Sequence, residues 1–238
     1  MKKTKLRQFG NGQRALESSE REALKQMKFI KLDGRKVFPS KIVCIGRNYV
    51  DHIKELGNEI PKEPVIFLKP NSAISTEIHS GEPDVIHFEA EMTFVVHHDE
   101  LAGVGFGLDL TKRELQSALK IKGLPWERSK AFDGAAVFSE FVGLNGDISQ
   151  LRLELFINDH LQQQGGYELM INKPDDILAE IKGFMSFEDG DLIMTGTPAG
   201  VGSIKPGDRF VGKIFNNDTL LVEADWVVDP GAQIITHE

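Results

Sequence analysis

Two glutamates in the segment FEAEMTFVV are the strongest candidates for chemistry. Glu89 and Glu91 are two residues apart, so in a predicted strand both side chains leave the same face. Two carboxylates held this close repel each other, and the residues around them are apolar. Either this face of the strand is solvated, or a cation lies between the carboxylates. A hard divalent cation such as Mg²⁺, which prefers oxygen ligands, fits the second alternative.

A third carboxylate, Asp109, stands near the end of the glycine-rich segment GVGFGLDL. It is a candidate third oxygen ligand. Alternatively, it is a carboxylate near the beginning of a helix, where a negative charge is favourable to the helix dipole. In that helix Glu114 follows Thr111 by three residues, which predicts a capping box. The glycines of GVGFG do not match a dinucleotide-binding fingerprint, because the third glycine is misplaced.

A lysine and a histidine–glutamate pair are candidates for electrostatic and acid–base roles. Lys130 lies between Trp126 and Phe132, so it either extends along apolar surface towards solvent or acts as a cation in a partly dry cleft. His52 and Glu55 are three residues apart in a predicted short helix and therefore share one face. A carboxylate beside an imidazole orients it as a general base, and the alternative is an exposed surface pair.

The elements that must position these residues are mostly short strands. Apolar runs are short and are interrupted by glycine and proline, and hairpins are predicted around Asp33-Gly34 and Asn216-Asn217. A helix is predicted in KPDDILAEIKGF, and the segment MTGTPAGVG is a predicted strand that runs into a loop. Strands outnumber helices about three to one and do not alternate with them, which argues against a doubly wound parallel sheet. The predicted fold class is α+β, mainly β, with packed or rolled sheets and peripheral helices.

The overall charge excludes some classes of partner. The chain has 238 residues, with 28 Lys and Arg against 36 Asp and Glu, a net charge of −8. Such a chain is a poor general binder of nucleic acid or anionic membrane, although one cleft can still bind a small anion. No apolar run approaches the roughly 18 residues that a membrane span needs. The single cysteine, Cys44, excludes an intrachain disulfide and fits a cytoplasmic location.

The charge also divides the chain. Residues 1–28 carry eight Lys and Arg against three Glu and lack a hydrophobic pattern. We predict that residues 1–28 are a poorly packed appendage with a short helix around Ser18–Met27; the alternative is a basic arm that binds a partner. Residues 29–238 are the predicted main domain, and residues 29–80 are a candidate small subdomain.

The order of these motifs resembles the fumarylacetoacetate hydrolase family, and within it the small single-domain acylpyruvate hydrolase and oxaloacetate decarboxylase branch. The resemblance runs from about Lys41 to Val228. The motifs that carry it are IVCIGRNYVDHIKE, PVIFLKPNSAI, HFEAEMTFVV, GFGLDLTKRELQ, KGLPWERSKAFD, INDHLQQQGGYELMI and GDLIMTGTPAGVG. It implies a β-roll fold, a homodimer and one Mg²⁺ or Mn²⁺ per subunit.

The resemblance also implies roles for matched positions. The implied metal ligands are Glu89, Glu91 and Asp109, and the implied catalytic residues are His52, Glu55 and Lys130. The implied substrate-side residues are Arg113, Gln116, Gln163 and Thr197. The sequence departs from the family pattern at Asp159-His160, where Gly-Glu is frequent, and at Glu168-Leu169, where Ser/Thr-Asp is usual.

The reaction implied first is hydrolysis of the C–C bond of acylpyruvate-type 2,4-diketo acids through a metal-bound enolate, with a small anionic 2-oxo acid as substrate. In this reaction His52, held by Glu55, takes a proton from water, and Lys130 supports the oxyanion. The alternative is an isomerase, tautomerase or decarboxylase that acts on related 2-oxo acids, such as 2-oxo-dienoic acids or oxaloacetate. The His52–Glu55 pair discriminates between them, because hydrolysis needs an activated water. A third hypothesis, a metal-dependent binding module, is opposed by the retention of the matched polar positions.

Overall fold

The computed structural model describes residues 27–80 and 84–229. Most of the predicted N-terminal appendage and of its helix lies outside the described residues. The helices are α1 (Val50–Glu55), α2 (Arg113–Ile121), α3 (Glu127–Lys130) and α4 (Pro174–Lys182), with short 3-10 helices at Asn71–Ala73, Ile148–Gln150 and Tyr167–Leu169. The strands are β1 (Ile30–Leu32), β2 (Arg35–Val37), β3 (Lys41–Gly46), β4 (Val65–Pro70), β5 (Ile74–Ser75), β6 (Ile86–Phe88), β7 (Ala90–His97), β8 (Glu100–Asp109), β9 (Thr111–Lys112), β10 (Ala136–Phe138), β11 (Val142–Gly143), β12 (Leu151–Ile157), β13 (His160–Gly166), β14 (Leu192–Met194), β15 (Gly202–Ser203), β16 (Arg209–Asn216) and β17 (Thr219–Val227).

The largest sheet has eight strands and carries most of the site. Its order is β4-β3-β14-β7-β8-β10-β5, with β11 also paired to β8. The pairs β3–β14 and β5–β10 are parallel, and the other pairs are antiparallel. Three of the strands between residues 29 and 80 are therefore hydrogen-bonded into the same sheet as β7, β8 and β14. A separate subdomain over residues 29–80 stays a prediction.

A four-stranded sheet, β13-β12-β16-β17, packs against the large sheet and closes the main core. Phe94 and Phe106 from the large sheet lie in one cluster with Leu153, Phe210 and Ile214 from the smaller sheet. All five side chains are fully buried. A small sheet has the order β15-β6-β9. Helix α4 packs on the large sheet through Ile177 and Ile181, which lie in one cluster with Val43 and Ile45 of β3 and Ile193 of β14. The prediction of a mainly β fold of packed sheets with few helices is confirmed.

The glycine-rich stretch in β8 allows close packing. A methyl group added at Gly105 would lie 2.7 Å from the ring of Phe141, and one added at Gly103 would lie 2.7 Å from Leu32 Cδ1. Real Cβ atoms do not approach other atoms this closely, so side chains from outside β8 occupy the space that larger residues would need.

Most local patterns formed the predicted elements. The hairpin turn at Asp33-Gly34 has positive φ at both residues, and α4 begins at Pro174. The capping-box prediction is wrong, because α2 begins at Arg113 and has no side-chain cap. Thr111 lies instead in β9, paired with His87 of β6, and its hydroxyl accepts a hydrogen bond from Lys130.

Among the described residues, no helix is both long enough and apolar enough to cross a membrane.

Candidate metal centre and active site

Three buried carboxylates converge where β6, β7 and β8 meet. Glu89, Glu91 and Asp109 each offer one oxygen, and these oxygens all lie within 4.8 Å of one another. The three residues are 6%, 1% and 1% exposed, so water does not separate their charges. The structure therefore brings together the three ligands that the sequence predicts.

Backbone pairing places these carboxylates. The segment predicted as one strand is broken at Glu89, which stands alone between β6 and β7. The backbone N–H of Asp109 donates to the carbonyl of Glu89 at 2.8 Å, and Glu91 pairs with Gly107 in the β7–β8 register. The hairpin β7–β8 thus brings residues 20 positions apart in the chain to one point.

Two buried lysines hold the carboxylates. Lys130 Nζ donates to Glu89 Oε2 at 2.8 Å, to Asp109 Oδ2 at 2.7 Å and to Thr111 Oγ1 at 2.6 Å, so all three of its donors are engaged. Lys69 Nζ lies 2.7 Å from Asp109 Oδ1 and also donates to the carbonyl of Lys130. The apolar context of Lys130 thus marks a buried cation rather than one that reaches solvent. A role of Lys130 towards a substrate oxyanion stays a prediction.

Sequence reasoning missed Lys69 as a site residue. It is completely buried in β4, within the matched motif PVIFLKP. The available signal was a lysine in an otherwise apolar strand, since a lysine is almost never fully buried unless it is paired.

The protonation of the carboxylates is uneven. Burial opposes the charge of Glu89, but Lys130 and Arg113 outweigh burial and hold the pKa of this carboxyl well below its usual range. Burial also opposes the charge of Lys130, yet Asp109 and Glu89 raise its pKa. Burial, together with the charges of Asp109 and Glu89, raises the pKa of Glu91 well above its usual value.

The donor set fits a divalent cation. Glu91 accepts a hydrogen bond of 2.8 Å from the backbone N–H of Gly196, but among the described residues it forms no ion pair. A cation bound by the three carboxylates would supply the missing positive charge. Because all three ligands are oxygens, they suit Mg²⁺ or Mn²⁺ better than metals that prefer sulfur or nitrogen.

The histidine–glutamate pair is formed and faces the same cleft. His52 Nδ1 lies 3.1 Å from Glu55 Oε2, and His52 is 5% exposed. Since a carboxylate only accepts, Nδ1 carries the proton and Nε2 is left as the basic nitrogen of the neutral ring. The other oxygen, Glu55 Oε1, accepts from the backbone N–H of Gly200 at 3.0 Å, which joins α1 to the loop after β14. The pair is therefore buried on one side only: His52 is buried in the cleft wall, and Glu55 is exposed.

The predicted substrate-side residues fall into two groups. Arg113, Gln116 and Thr197 line the cleft together with His52, Glu89 and Glu91. Arg113 Nη1 donates to Gln116 Oε1 at 2.9 Å, and its Nη2 donates to Glu89 Oε1. Gln163 lies behind the cleft and is held by the chain itself.

The bonds of Gln163 show what it does. Its Nε2 donates to Thr197 Oγ1 and to the carbonyl of Pro198, both at 2.8 Å, and its Oε1 accepts from the backbone N–H of Ala90 at 3.0 Å. Its amide nitrogen and oxygen are thus both engaged by the chain, so Gln163 orients Thr197 and the loop after β14.

The fold and this site place the chain in a known class: it belongs to the fumarylacetoacetate hydrolase family. The model of the family's C-terminal domain, fumarylacetoacetate (FAA) hydrolase C-terminal, matches residues 41–228. The mitochondrial oxaloacetate tautomerase of Saccharomyces cerevisiae is 36% identical over 235 residues, which cover 78% of this chain and 91% of that protein.

Solved structures agree with this assignment. A protein from Oleispira antarctica described as a fumarylacetoacetate isomerase/hydrolase is 37% identical, with a TM-score of 0.82, and the match covers 85% of this chain and 100% of that one. The fumarylpyruvate hydrolase of Pseudomonas aeruginosa, solved in complex with Mn²⁺ and pyruvate, is 25% identical with a TM-score of 0.78, and the match covers 86% of this chain and 96% of that one.

These relatives bear on the remaining predictions. The family assignment is confirmed, as is the prediction of an enzyme, since the named relatives are enzymes. The homodimer stays a prediction, and so does the cytoplasmic location, because the yeast relative is named as a mitochondrial protein.

Proposed function

We propose that the protein is a divalent-metal-dependent tautomerase that interconverts the enol and keto forms of oxaloacetate or a closely related 2-oxo acid. The observation that carries the proposal is the buried carboxylate triad beside an oriented histidine in one cleft. The relationship to an oxaloacetate tautomerase, at 36% identity, favours this reaction over the hydrolysis that the sequence suggested first.

The reaction moves a proton between C3 of the substrate and its 2-oxygen. A bound Mg²⁺ or Mn²⁺ would supply Lewis acidity that lowers the cost of negative charge on that oxygen. His52 is the chain's own proton carrier, because its Nε2 is basic while Nδ1 is held by Glu55. The bond from Gly200 fixes the orientation of Glu55 and, through it, the imidazole ring.

The remaining residues keep the site in its working geometry. Lys130 and Lys69 hold Asp109 between them, and Arg113 and Lys130 hold Glu89. The buried cations thus hold Glu89 and Asp109 in place, and Thr197, oriented by Gln163, presents a hydroxyl to the substrate.

Hydrolysis of acylpyruvates is the second candidate. It is favoured by the same His52–Glu55 pair, which would serve to activate water, and by the likeness to the fumarylpyruvate hydrolase that binds Mn²⁺ and pyruvate. The two candidates share the metal centre and differ in the group that exchanges a proton with His52. In tautomerisation this group is the substrate itself, and in hydrolysis it is a water molecule.

Both reactions should be measured spectrophotometrically on one preparation, with oxaloacetate enol and with acetylpyruvate. We expect rapid ketonisation of the enol that EDTA abolishes and Mn²⁺ or Mg²⁺ restores. Faster hydrolysis of acetylpyruvate than ketonisation would replace the first candidate by the second. Full ketonisation activity in metal-free protein would contradict both.

Substitution of the histidine tests the proposed proton carrier. His52→Ala should lower kcat/KM for ketonisation by about 10²- to 10⁴-fold, the usual scale for a general acid or base, while Mn²⁺ affinity stays unchanged. The control is His160→Ala, since His160 is exposed in the β12–β13 turn. A loss below about threefold, roughly 0.7 kcal/mol of barrier, would remove His52 from the mechanism.

A further inference from the structure

Two cations in the cleft are left without a carboxylate partner. Arg113 and Lys130 are paired with Glu89, but Arg47 and Lys120 also line the cleft, and among the described residues neither forms an ion pair. Both are half-buried, so solvent only partly screens their charges. A cleft wall with two uncompensated positive charges is complementary to an anion.

We infer that Arg47 and Lys120 form a subsite for the second carboxylate of a 2-oxo dicarboxylic acid and thereby select dianionic over monoanionic substrates. This inference rests on the proposed function, because it assumes that the 2-oxo acid end of the substrate lies at the carboxylate triad. It adds the subsite by which the protein distinguishes a diacid from other 2-oxo acids in the same cleft.

The position of Lys120 on α2 supports the inference. Arg113, Gln116 and Lys120 are separated by three and four residues, so they lie along one face of the helix. Lys120 is about 6 Å further along the axis than Gln116. The first residue of this row, Arg113, contacts Glu89, and the second, Gln116, bonds to Arg113. The third is further along the helix, so it lies away from Glu89, towards the far end of a bound substrate.

The position of Arg47 is fixed by its neighbours. Its φ of 57° lies in the left-handed region, which is uncommon for a residue other than glycine. Asn48 holds this backbone by donating to the carbonyls of Thr195 and Asn172 at 2.8 and 2.9 Å. The guanidinium donates to Asn58 Oδ1 at 3.1 Å, a neutral acceptor that leaves its charge uncompensated. Strained backbone that its surroundings enforce is typical of functional sites.

The electrostatics of Lys120 agree with this geometry. Burial, together with the charges of Arg47, Arg113 and Lys130, lowers the pKa of Lys120 to about 8. Its ammonium lies 4.8 Å from the centre of the Trp126 ring, which orients the side chain without neutralising it. A substrate carboxylate would relieve the repulsion among these cations.

The test compares two ligands that share the 2-oxo acid end. Oxaloacetate carries the second carboxylate, and 2-oxobutyrate has a methyl group in its place. Lys120→Met keeps the length of the side chain and removes its charge, whereas Lys120→Arg keeps the charge. We expect Lys120→Met to lower kcat/KM for oxaloacetate ten- to a hundredfold, with the inhibition constant of 2-oxobutyrate changed less than threefold. Lys120→Arg should retain most of the activity, and Arg47→Gln should repeat the pattern of Lys120→Met.

Two further measurements keep the outcome decisive. Lys122→Met removes an exposed lysine just after the end of the same helix and should change neither constant. Calorimetric binding of both ligands to Mn²⁺-loaded protein measures the subsite even if oxaloacetate is not turned over, so failure of the proposed function is distinguishable from failure of the subsite. Equal losses for both ligands, or no loss for either in a folded variant, would overturn the inference.

Discussion

At the scale of single residues, the site is a balance of buried charges. Three carboxylates are accompanied by three cations, Arg113, Lys69 and Lys130, but the cations contact only Glu89 and Asp109. Glu91 is left with one backbone N–H as its partner. This asymmetry explains why the pKa of Glu91 is raised while that of Glu89 is lowered, and it assigns to Glu91 the greatest gain from a bound cation.

The substitution Glu91→Gln tests this assignment. The amide oxygen can still accept from Gly196, and a neutral group avoids the cost of a buried charge. The metal-free variant should therefore melt within about 2 °C of the wild type, which corresponds to at most about 1 kcal/mol in a chain of this size. The Kd for Mn²⁺, measured by calorimetry, should rise at least tenfold, and the increase in Tm that Mn²⁺ gives the wild type should be lost.

The control for this variant is Glu114→Gln, which removes an exposed carboxylate on α2. It should leave both the Mn²⁺ affinity and the Tm unchanged. Wild-type Mn²⁺ affinity in Glu91→Gln would show that the triad is not the metal site.

At the scale of elements, the site depends on how closely β8 is packed. Its glycines allow Phe138 and Phe141 to lie against the backbone of the strand whose last residue is Asp109. The backbone N–H of Phe106 in the same strand donates to Ser139 Oγ at 2.9 Å, and the N–H of Ser139 donates back to the carbonyl of Phe106 at 3.0 Å. The position of Asp109 is therefore set by contacts along the whole strand.

We predict that Gly105→Ala destabilises the protein. The added methyl group would meet the buried ring of Phe141, and overpacking of this kind costs typically 1–3 kcal/mol. Gly46→Ala is the matched strand control, since its methyl group would lie 3.5 Å from Val65 Cγ1, an ordinary contact. Urea unfolding of both variants measures the difference, and equal stability of the two would contradict the packing argument.

At the scale of the whole molecule, three clusters of buried apolar residues support the sheets that carry the site. The clusters of buried apolar residues draw on residues 30–228, a range that nearly coincides with the family match over residues 41–228. The basic segment before Met27 lies outside the family match, and the sequence predicts that it contributes little apolar surface.

We therefore expect deletion of residues 1–26 to leave turnover and melting temperature nearly unchanged. Differential scanning calorimetry and the ketonisation assay measure the two quantities. A fall in Tm of about 5 °C or more, which corresponds to roughly 1 kcal/mol or more in a chain of this size, would show that the segment packs against the domain.

The sequence by itself determined the features that depend on neighbouring residues. The turn at Asp33-Gly34, the start of α4 at Pro174 and the shared face of His52 and Glu55 follow from local backbone geometry and side-chain spacing. The hairpin predicted around Asn216-Asn217 is formed, but its turn residues are Asn217 and Asp218, since Asn216 still pairs with Thr219. The local pattern of Glu89, Glu91 and Asp109 left a metal site as one of several alternatives, and the resemblance to a family favoured that alternative. The capping box misled, because the hydroxyl of Thr111 bonds to Lys130, 19 positions away.

Only the tertiary structure decided which distant residues meet. Lys69 contacts Asp109 across 40 positions, Gln163 bonds to Thr197 across 34 positions, and Arg47 and Lys120 come to one cleft from two different elements. These contacts depend on strand order and register, and both are set by the packing of the core as a whole. The local sequence around each residue therefore shows no periodicity that predicts them. For that reason the contact of Lys69 with Asp109, and the two residues that we infer to choose the substrate, emerged only from the fold.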